Sequence, residues 1–570
     1  MTEAHAAVPP VPPKREPTLW LQALLLLVAL AFFLPGFFQV PPVDRDEARF
    51  AQASKQMIES GDVVDIRFQD AARLNKPVGI YWAQVAAATA WGALTLQSPA
   101  AAPIWVYRLP SLLGACLAVL LTFRIGRRLF GSSAGALAAL MMAGCLLLGV
   151  EARTAKTDAL LLATILLAQS ALAELYMNLR EGRPSSARLA IAFWAGVGLA
   201  ALIKGPIVLL VAGGTIAGLL VFERRAAWLR GLKPWPWLLL ALAIFLPWLV
   251  AIAIQTHGAF FAESVGHDLL GKVAGGQESH GAPPGLYLVL VFLTFWPFSL
   301  LLGLAVPWTW LERRRPAVVF CLAWLIPSWI VFELVPTKLP HYVLPLYPAL
   351  AILVAAAVRE TALAPAALAA RGWASWLRFA TLLIFLAITL LLAAGLVAVP
   401  LYLEGTLLWA GLAGALLLCV LAFAVIRLRP QRGGTTGVAV LALGAWLLYL
   451  VGWPGVVPNL STIWLSPRIA AAVAANRPCD DSVLASSGYS EPSLIFLTGT
   501  GTRLGRPPEA AATLTENPAC NLALVSSQDD GPFRAALGDA AAKLTSLATI
   551  EGLNYSKGKR LTLQLYRLAE

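Results

Sequence analysis

Charge is scarce in this chain. Across its 570 residues, Asp, Glu, Lys and Arg together supply 13%, where a soluble domain carries about 25%. With a hydrophobic share of 59% and a mean hydropathy of +0.73, that deficit excludes a soluble globular protein, which has nowhere to hide so much apolar surface; lipid must be the solvent. Histidine is rare too, with 5 residues, and the 6 cysteines contain no C-x-x-C pair, which removes the common zinc spacing. No repeat of fixed period is visible, in contrast to many transporter folds. The net charge of +12 is not a nucleic-acid footprint, because the arginines fall in short clusters between apolar runs, the positive-inside pattern of cytoplasmic loops.

A spanning helix needs about 20 mostly apolar residues. On that criterion thirteen spans are expected, at 18–38, 104–123, 132–150, 158–177, 188–203, 206–222, 235–254, 285–311, 316–332, 342–358, 373–400, 405–427 and 436–457. The first follows Lys14 and Arg15 and runs on to Val40 with no small-residue cleavage site, so it reads as a retained span and not a signal peptide. This count puts Lys14–Arg15, Arg124/Arg127/Arg128, Arg180/Arg183, Arg224/Arg225/Arg230/Lys233, Arg313–Arg315, Arg359/Arg371 and Arg427/Arg429/Arg432 all on the cytoplasmic side. The apolar stretch Val78–Leu96, counted as a span, would flip every later cluster; it is expected to lie along the outer interface.

Residues 1–457 then form a transmembrane domain with two long outer loops, 39–103 and 255–284. After Pro458 the composition turns polar, and 458–570 is expected to be a small α/β domain outside the cytoplasm. Ser482–Ala485, Leu494–Leu497 and Leu522–Val525 read as strands, and the Ala-rich 468–475 and 534–544 as helices. Outside the cytoplasm a disulfide between Cys479 and Cys520 is allowed, while Cys116, Cys145, Cys321 and Cys419 sit in apolar runs as packed thiols.

The residues that carry chemistry gather at outer span ends. Asp44-Arg45-Asp46-Glu47-Ala48-Arg49-Phe50 follows the first span; it is either an interfacial charged cap or a carboxylate held near a lipid-borne reactant. Arg73-Leu74-Asn75-Lys76-Pro77-Val78-Gly79-Ile80-Tyr81-Trp82 places a lysine beside a helix start, a position suited to an anion. Glu151-Ala152-Arg153-Thr154-Ala155-Lys156-Thr157-Asp158, Lys204-Gly205-Pro206 and Thr337-Lys338-Leu339-Pro340-His341-Tyr342 are further clusters, each either headgroup anchoring or part of a cavity. Paired Lys and Arg among them would suit a phosphate leaving group. His257, His267, His280 and His341 map to the outer side, as polar loop residues or as ligands of a divalent metal, with no recognised metal spacing.

The order Asp46-Glu47-x-Arg49, Asn75-Lys76-Pro77 with Tyr81-Trp82, Asp158, Lys204-Gly205 and Lys338-Leu339-Pro340-x-Tyr342 resembles the lipid A aminoarabinose transferases and their protein mannosyltransferase relatives. The resemblance implies a GT-C fold: an all-α polytopic membrane domain of about thirteen transmembrane helices with interfacial helices, followed by a periplasmic C-terminal α/β domain. It further implies transfer of a sugar from an undecaprenyl-phosphate carrier to a lipid A-like lipid or other envelope acceptor at the periplasmic face of a bacterial inner membrane, the N-terminus being cytoplasmic. Carried over by position, Asp46 matches the family's catalytic acidic residue, with Glu47 its neighbour and Asp158 a second acidic residue of the catalytic site, and Arg49, Lys76, Tyr81 and Tyr342 fall around the carrier phosphate, with Lys204 and Lys338 as motif lysines. His267 and His280 lie where the family's large outer loop also has histidines, with His341 a further metal candidate. Two positions depart from the pattern: Asn75 replaces the usual Glu, which removes a carboxylate, and Asp268-Leu269-Leu270-Gly271-Lys272 lacks an expected Arg-Phe.

From another class, a polytopic lipid or sugar transporter or flippase would also explain the spans, but it predicts charges near the midplane rather than at span ends. A carrier-lipid polysaccharide ligase is a third reading.

Overall fold

The computed structural model describes residues 18–224, 226–271, 281–363, 372–429 and 434–569. Lys14, Arg15, Arg225, Lys272, His280, Arg371 and Arg432, and the side chain of His267, lie outside the described residues. In chain order the principal helices of the first 457 residues are α1 (Thr18–Phe33), α2 (Asp46–Ser60), α3 (Gly79–Thr95), α4 (Ile104–Phe130), α5 (Ser132–Gly144), α6 (Leu146–Glu151), α7 (Asp158–Arg180), α8 (Ala187–Lys204), α9 (Ile207–Glu223), α10 (Pro234–Gln255), α11 (Leu286–Thr294), α12 (Leu302–Leu311), α13 (Pro316–Leu334), α14 (Tyr347–Leu363), α15 (Gly372–Glu404), α16 (Trp409–Leu428) and α17 (Thr435–Gly455). Among the described residues nine helices are long and apolar enough to cross a membrane singly: α4, α7, α8, α10, α13, α14 with its leading turn, α15, α16 and α17 with its trailing turn. Three shorter apolar helices, α1, α5 and α9, and the pair α11–α12 occupy the remaining expected spans. The chain is a multi-pass membrane protein.

Two of those spans are not the continuous helices expected. The stretch 285–311 bends by 118° between α11 and α12, where Pro297 has no N–H to continue the ladder. The stretch 132–150 breaks at Cys145 between α5 and α6. The two breaks satisfy each other: the Cys145 thiol donates to the Thr294 carbonyl at 3.2 Å, and the Leu146 N–H to the Trp296 carbonyl at 3.2 Å. In hydrocarbon, free backbone groups are costly, so broken helices persist where another protein segment completes their hydrogen bonds. The helix covering 78–96, α3, is not among the helices apolar enough to cross; it packs on α2 and α4 at the end of the bundle where Asp46 lies.

Tight packing of small residues fixes the core. A Cβ at Gly114 of α4 would lie 2.6 Å from the Leu160 Cα of α7, so those helices touch backbone to backbone. That contact is two residues from Asp158 and sets the height of its carboxylate relative to α4.

The C-terminal part is the expected α/β domain. With β1 (Arg67–Phe68) and β2 (Ala71–Ala72) forming a small outer-loop hairpin, it holds β3 (Leu484–Ser487), β4 (Arg503–Gly505), β5 (Leu522–Ser526), β6 (Leu544–Asn554) and β7 (Lys559–Leu568) in one sheet of order β4-β3-β5-β7-β6. The β3 strand pairs parallel with β4 and β5, and β7 antiparallel with β5 and β6. Cys479 and Cys520 form a disulfide with Cα atoms 5.3 Å apart. One expected strand is a helix: Leu494–Leu497 lies in α19, after α18 (Leu465–Asn476), at Pro492–Thr498. Pro492 pre-sets its first turn. Its apolar run is buried against the membrane domain, with Phe496 edge-on to Tyr107 at 5.5 Å and beside Ala51 and Ala155.

Candidate active site

The chain leaves α1 and reaches α2 through a clamp. Glu47, buried in the first turn of α2, receives a two-pronged ion pair from the buried Arg108 of α4: Nε to Oε1 at 2.7 Å and Nη2 to Oε2 at 2.9 Å. The same carboxylate accepts the N–H of Val43 at 2.8 Å and of Ala155 at 2.8 Å, while Arg108 also donates to the carbonyls of Phe37, Val40 and Pro41. Three segments (the 37–47 turn, α4, and the 152–157 loop) are thereby tied at one point. Nearby, the buried Arg153 donates to the carbonyls of Pro35, Gly149 and Phe32, joining the end of α6 to the end of α1.

Asp46, next to Glu47, is exposed at the start of α2. Its carboxylate is near enough to act electrostatically on Lys156, Tyr81 and His341. Arg49 follows one turn later on α2, half-buried. Tyr81 is buried against Phe50, ring centroids 5.3 Å apart, and accepts a hydrogen bond from Arg73 Nε at 3.1 Å. The C-terminal domain holds α2 from the other side. The Tyr555 hydroxyl accepts the Asp44 N–H at 2.7 Å, Asp44 Oδ1 accepts the Ser493 N–H at 3.3 Å, and Arg45 donates to the Ser556 carbonyl at 2.8 Å. Arg45 itself has φ +65°, a strained backbone for a residue with a side chain. Burial pushes the Asp44 carboxyl up to about 6, with Glu491 adding to the rise and the Ser493 hydrogen bonds opposing it.

Beside α2 opens a cavity of about 530 Å³ lined by Asn75, Lys76, Pro77, Asp158, Lys204, Gly205, Ser264, His341 and Tyr342, with apolar walls from Leu210, Val331 and Phe332. Residues from four of the five sequence clusters thus share one space. Local geometry explains why. A Cβ on Gly79 would meet the Leu202 carbonyl oxygen at 2.8 Å, so the start of α3, which follows Lys76, rests on the α8 backbone two residues before Lys204. Gly205, at φ +63°, lets the chain turn from α8 into α9 right after Lys204. The end of the large outer loop is joined to the last cluster by a bridge between Gly281 and Thr337.

The charges inside are ordered as pairs. Lys204 Nζ donates to Asp158 Oδ1 at 2.5 Å and lies 5.4 Å from the Tyr342 ring centroid. Lys156 Nζ donates to Glu151 Oε1 at 3.0 Å. Between the pairs stands His341, Nδ1 3.9 Å from Glu151 and Nε2 3.8 Å from Asp158. A metal would need these donors to converge on one point; here the two ring nitrogens face opposite carboxylates, each already held by a lysine. Among the described residues, the grouping with metal-ligand proximity is Cys479, Asp481 and Cys520, whose two sulfurs are spent in the disulfide. Lys338, expected at the site, instead turns its Nζ to the Val335 carbonyl at 2.6 Å and does not line the cavity.

Sequence reasoning missed Arg108. A single arginine inside an apolar run has no local pattern, and its partner lies 61 residues away. It also passed over Glu333 of α13, which accepts the N–H groups of Gly285 and Leu288 at 2.8 and 3.1 Å and so caps the start of α11. The signal available was an acidic residue near the end of an apolar span.

Residues 84–250 match the family model described as dolichyl-phosphate-mannose-protein mannosyltransferase. The chain is 29% identical over 360 residues to an undecaprenyl phosphate-alpha-4-amino-4-deoxy-L-arabinose arabinosyl transferase of Pseudomonas paraeruginosa, covering 61% of each. It is 30% identical over 341 residues to the protein of that name in Pseudomonas aeruginosa, covering 58% of each. The chain thus matches about three-fifths of the length of these curated relatives. In fold it is similar to the crystal structure of ArnT from Cupriavidus metallidurans bound to undecaprenyl phosphate, with a TM-score of 0.71 at 21% identity, covering 96% of this chain and 98% of that one. The chain thus shares the fold of that crystal structure, and its residues 84–250 are similar to the mannosyltransferase family model.

Proposed function

We propose that this protein transfers a sugar from an undecaprenyl-phosphate carrier to a lipid acceptor of the lipid A kind, at the periplasmic face of a bacterial inner membrane. The observation that carries this reading is the convergence of Lys76, Asp158, Lys204 and Tyr342 on one cavity at the membrane-domain end that bears Asp46. In this orientation the N-terminus is cytoplasmic and the sheet domain periplasmic. The relatives' names supply the carrier and favour a pentosyl donor.

The chemistry is substitution at the anomeric carbon with inversion. An acceptor oxygen forms the new C–O bond as the bond to the carrier phosphate breaks, and the phosphate departs with the electron pair. Lys76 and Lys204 stabilise the charge that grows on the leaving oxygens. In the resting state Asp158 holds Lys204; an arriving phosphate competes for that lysine, and Tyr342 faces its ammonium throughout. Arg49, half-buried on α2 two residues after Glu47, is assigned to the carrier phosphate as a further positive charge. Asp46, exposed, takes the proton of a hydroxyl acceptor or orients an acceptor that is already anionic. Glu47 is assigned a positioning role, since both its oxygens are engaged by Arg108 and backbone N–H groups.

Proteoliposomes given radiolabelled undecaprenyl-phosphate sugars and envelope lipids test this directly. Release of the carrier phosphate together with a labelled lipid product is expected. Asp46→Asn should lower turnover by about 10²–10⁴-fold if it is the base, with unchanged thermal stability. Uptake of label into the vesicle lumen without carrier release would replace the transferase reading with a transporter.

A further inference from the structure

A larger concavity sits at the other end of the same helices. It has a volume of about 1040 Å³ and lies among α9, α12, α13, α14 and the start of α15. Its walls are aliphatic, from residues such as Val319, Leu322 and Leu353. Its rim is different in kind: Trp310, Arg313, Arg314 and Trp373 stand together there, exposed. A second cavity of about 540 Å³ continues the trough toward Glu333, the two sharing wall residues Val306, Leu325 and Ile326.

Among the described residues, Arg313 and Arg314 on the rim have no ion-pair partner. Glu223 also borders the cavity, but it is bound by Arg180 and by the Tyr176 hydroxyl. Arg315 is paired with Glu360 at 2.5 Å. Among the described residues Arg313 donates to the Trp310 carbonyl, at 2.6 Å, and stacks 4.7 Å from that indole. Arg314 has no hydrogen bond or ion pair among the described residues. Two guanidinium groups flanked by tryptophans thus stand over an apolar trough in a protein that lives in lipid. Guanidinium groups match phosphate oxygens two at a time, and tryptophan favours the headgroup level.

We propose that this trough is a binding site for an anionic glycerophospholipid, its phosphate between Arg313 and Arg314 and its acyl chains along α12 and α13. The carrier lipid is a poorer occupant. Its phosphate belongs in the cavity past the far end of α13, whose 19 residues span about 28 Å, so one carrier cannot present its phosphate at both ends. The lipid site rests on the membrane reading, and only the preference for a glycerophospholipid over the carrier rests on the proposed transfer site.

The test uses the full-length protein, purified in uncharged detergent and supplemented with phosphatidylglycerol, phosphatidylcholine, undecaprenyl phosphate or inorganic phosphate. Retained lipid is read by native mass spectrometry and unfolding temperature by fluorescence. Phosphatidylglycerol is expected to remain bound and raise the unfolding temperature, with the other three doing neither at this trough. Arg314→Gln, a change at an exposed residue, should weaken phosphatidylglycerol binding about tenfold, as loss of one charge-assisted contact does. Arg313→Gln with Arg314→Gln should abolish selectivity over phosphatidylcholine while leaving carrier turnover intact. Equal retention of phosphatidylcholine by the native protein would overturn the proposal, as would undiminished phosphatidylglycerol binding by the double variant. Competitive displacement by undecaprenyl phosphate would overturn it too, assigning the trough to the carrier, and an equal shift with inorganic phosphate would reduce the rim to an unselective anion site. Failure of sugar transfer in the earlier assay leaves the lipid-retention and unfolding-temperature outcomes unaffected.

Discussion

Replacing Glu47 by Gln is the sharpest probe of the clamp beneath the site. The side chain keeps its shape but loses its charge, leaving the Arg108 guanidinium buried with three carbonyls and no counterion. Removing one partner of a buried ion pair costs about 3–5 kcal/mol, most of it the exposed debt of the stranded charge. Because both partners are at most 1% exposed, solvent screening offers little relief and the upper part of that range is expected. Thermal unfolding of the protein in nanodiscs should show a large drop for Glu47→Gln and a similar one for Arg108→Met. The double variant Glu47→Leu with Arg108→Met removes both charges but strands the carbonyls of Phe37, Val40 and Pro41 and the N–H groups of Val43 and Ala155, so it should recover only part of the loss. The reasoning fails if Glu47→Gln unfolds at the native temperature yet loses turnover: Glu47 would then act on substrate and not on the fold.

Three further outcomes follow from the geometry. Gly79→Ala drives a methyl into the Leu202 carbonyl at 2.8 Å, forcing α3 away from α8; overpacking of this kind costs about 1–3 kcal/mol, and the moved Lys76 should raise the KM for the carrier more than it lowers kcat. Asp44, with its carboxyl pushed up to about 6 from an ordinary 3.8, favours the folded state in its protonated form, so the ionised group costs stability that is absent below about pH 4, grows between about 4 and 6, and amounts to at most about 3 kcal/mol above that. Asp44→Asn should therefore raise the unfolding temperature at pH 8 and leave it unchanged at pH 4; equal shifts at both would refute the assignment. Reducing the Cys479–Cys520 bond, which closes a loop of 41 residues, should destabilise the sheet domain by about 2–4 kcal/mol, measurable as faster proteolysis between α18 and β5.

The sequence foretold a helical membrane domain because hydropathy is read over some twenty residues at a time, but the runs 132–150 and 285–311 are broken where backbone geometry and tertiary partners decide. The clusters at span ends read either as headgroup anchors or as parts of a cavity, and Lys76, Asp158, Lys204 and Tyr342 line one. What escaped was decided by tertiary partners. Leu494–Leu497 has strand composition, yet Phe496 is drawn onto Tyr107 as part of a helix. Glu47 looked like chemistry beside Asp46 until Arg108, far along the chain, was found to occupy it. Lys338 belongs to a motif whose neighbours His341 and Tyr342 do reach the cavity, but its own ammonium turns back to a carbonyl three residues away.

The grip of the sheet domain on α2 has a wider consequence. Gln52 donates to the Thr500 hydroxyl at 2.7 Å, that hydroxyl donates to Glu59 at 2.6 Å, and Lys55 donates to the Phe496 carbonyl at 3.2 Å. Together with the bonds at Asp44 and Arg45, these run nearly the whole length of the helix that begins with Asp46. The soluble domain is therefore a splint, and a load applied to it is transmitted to the mouth of the cavity without any contact with the reactants. A ligand that tilts the sheet by a few degrees would retune the reaction from outside the bilayer, and a chain cut near Pro458 would keep every cavity-lining residue while losing the frame that aims Asp46.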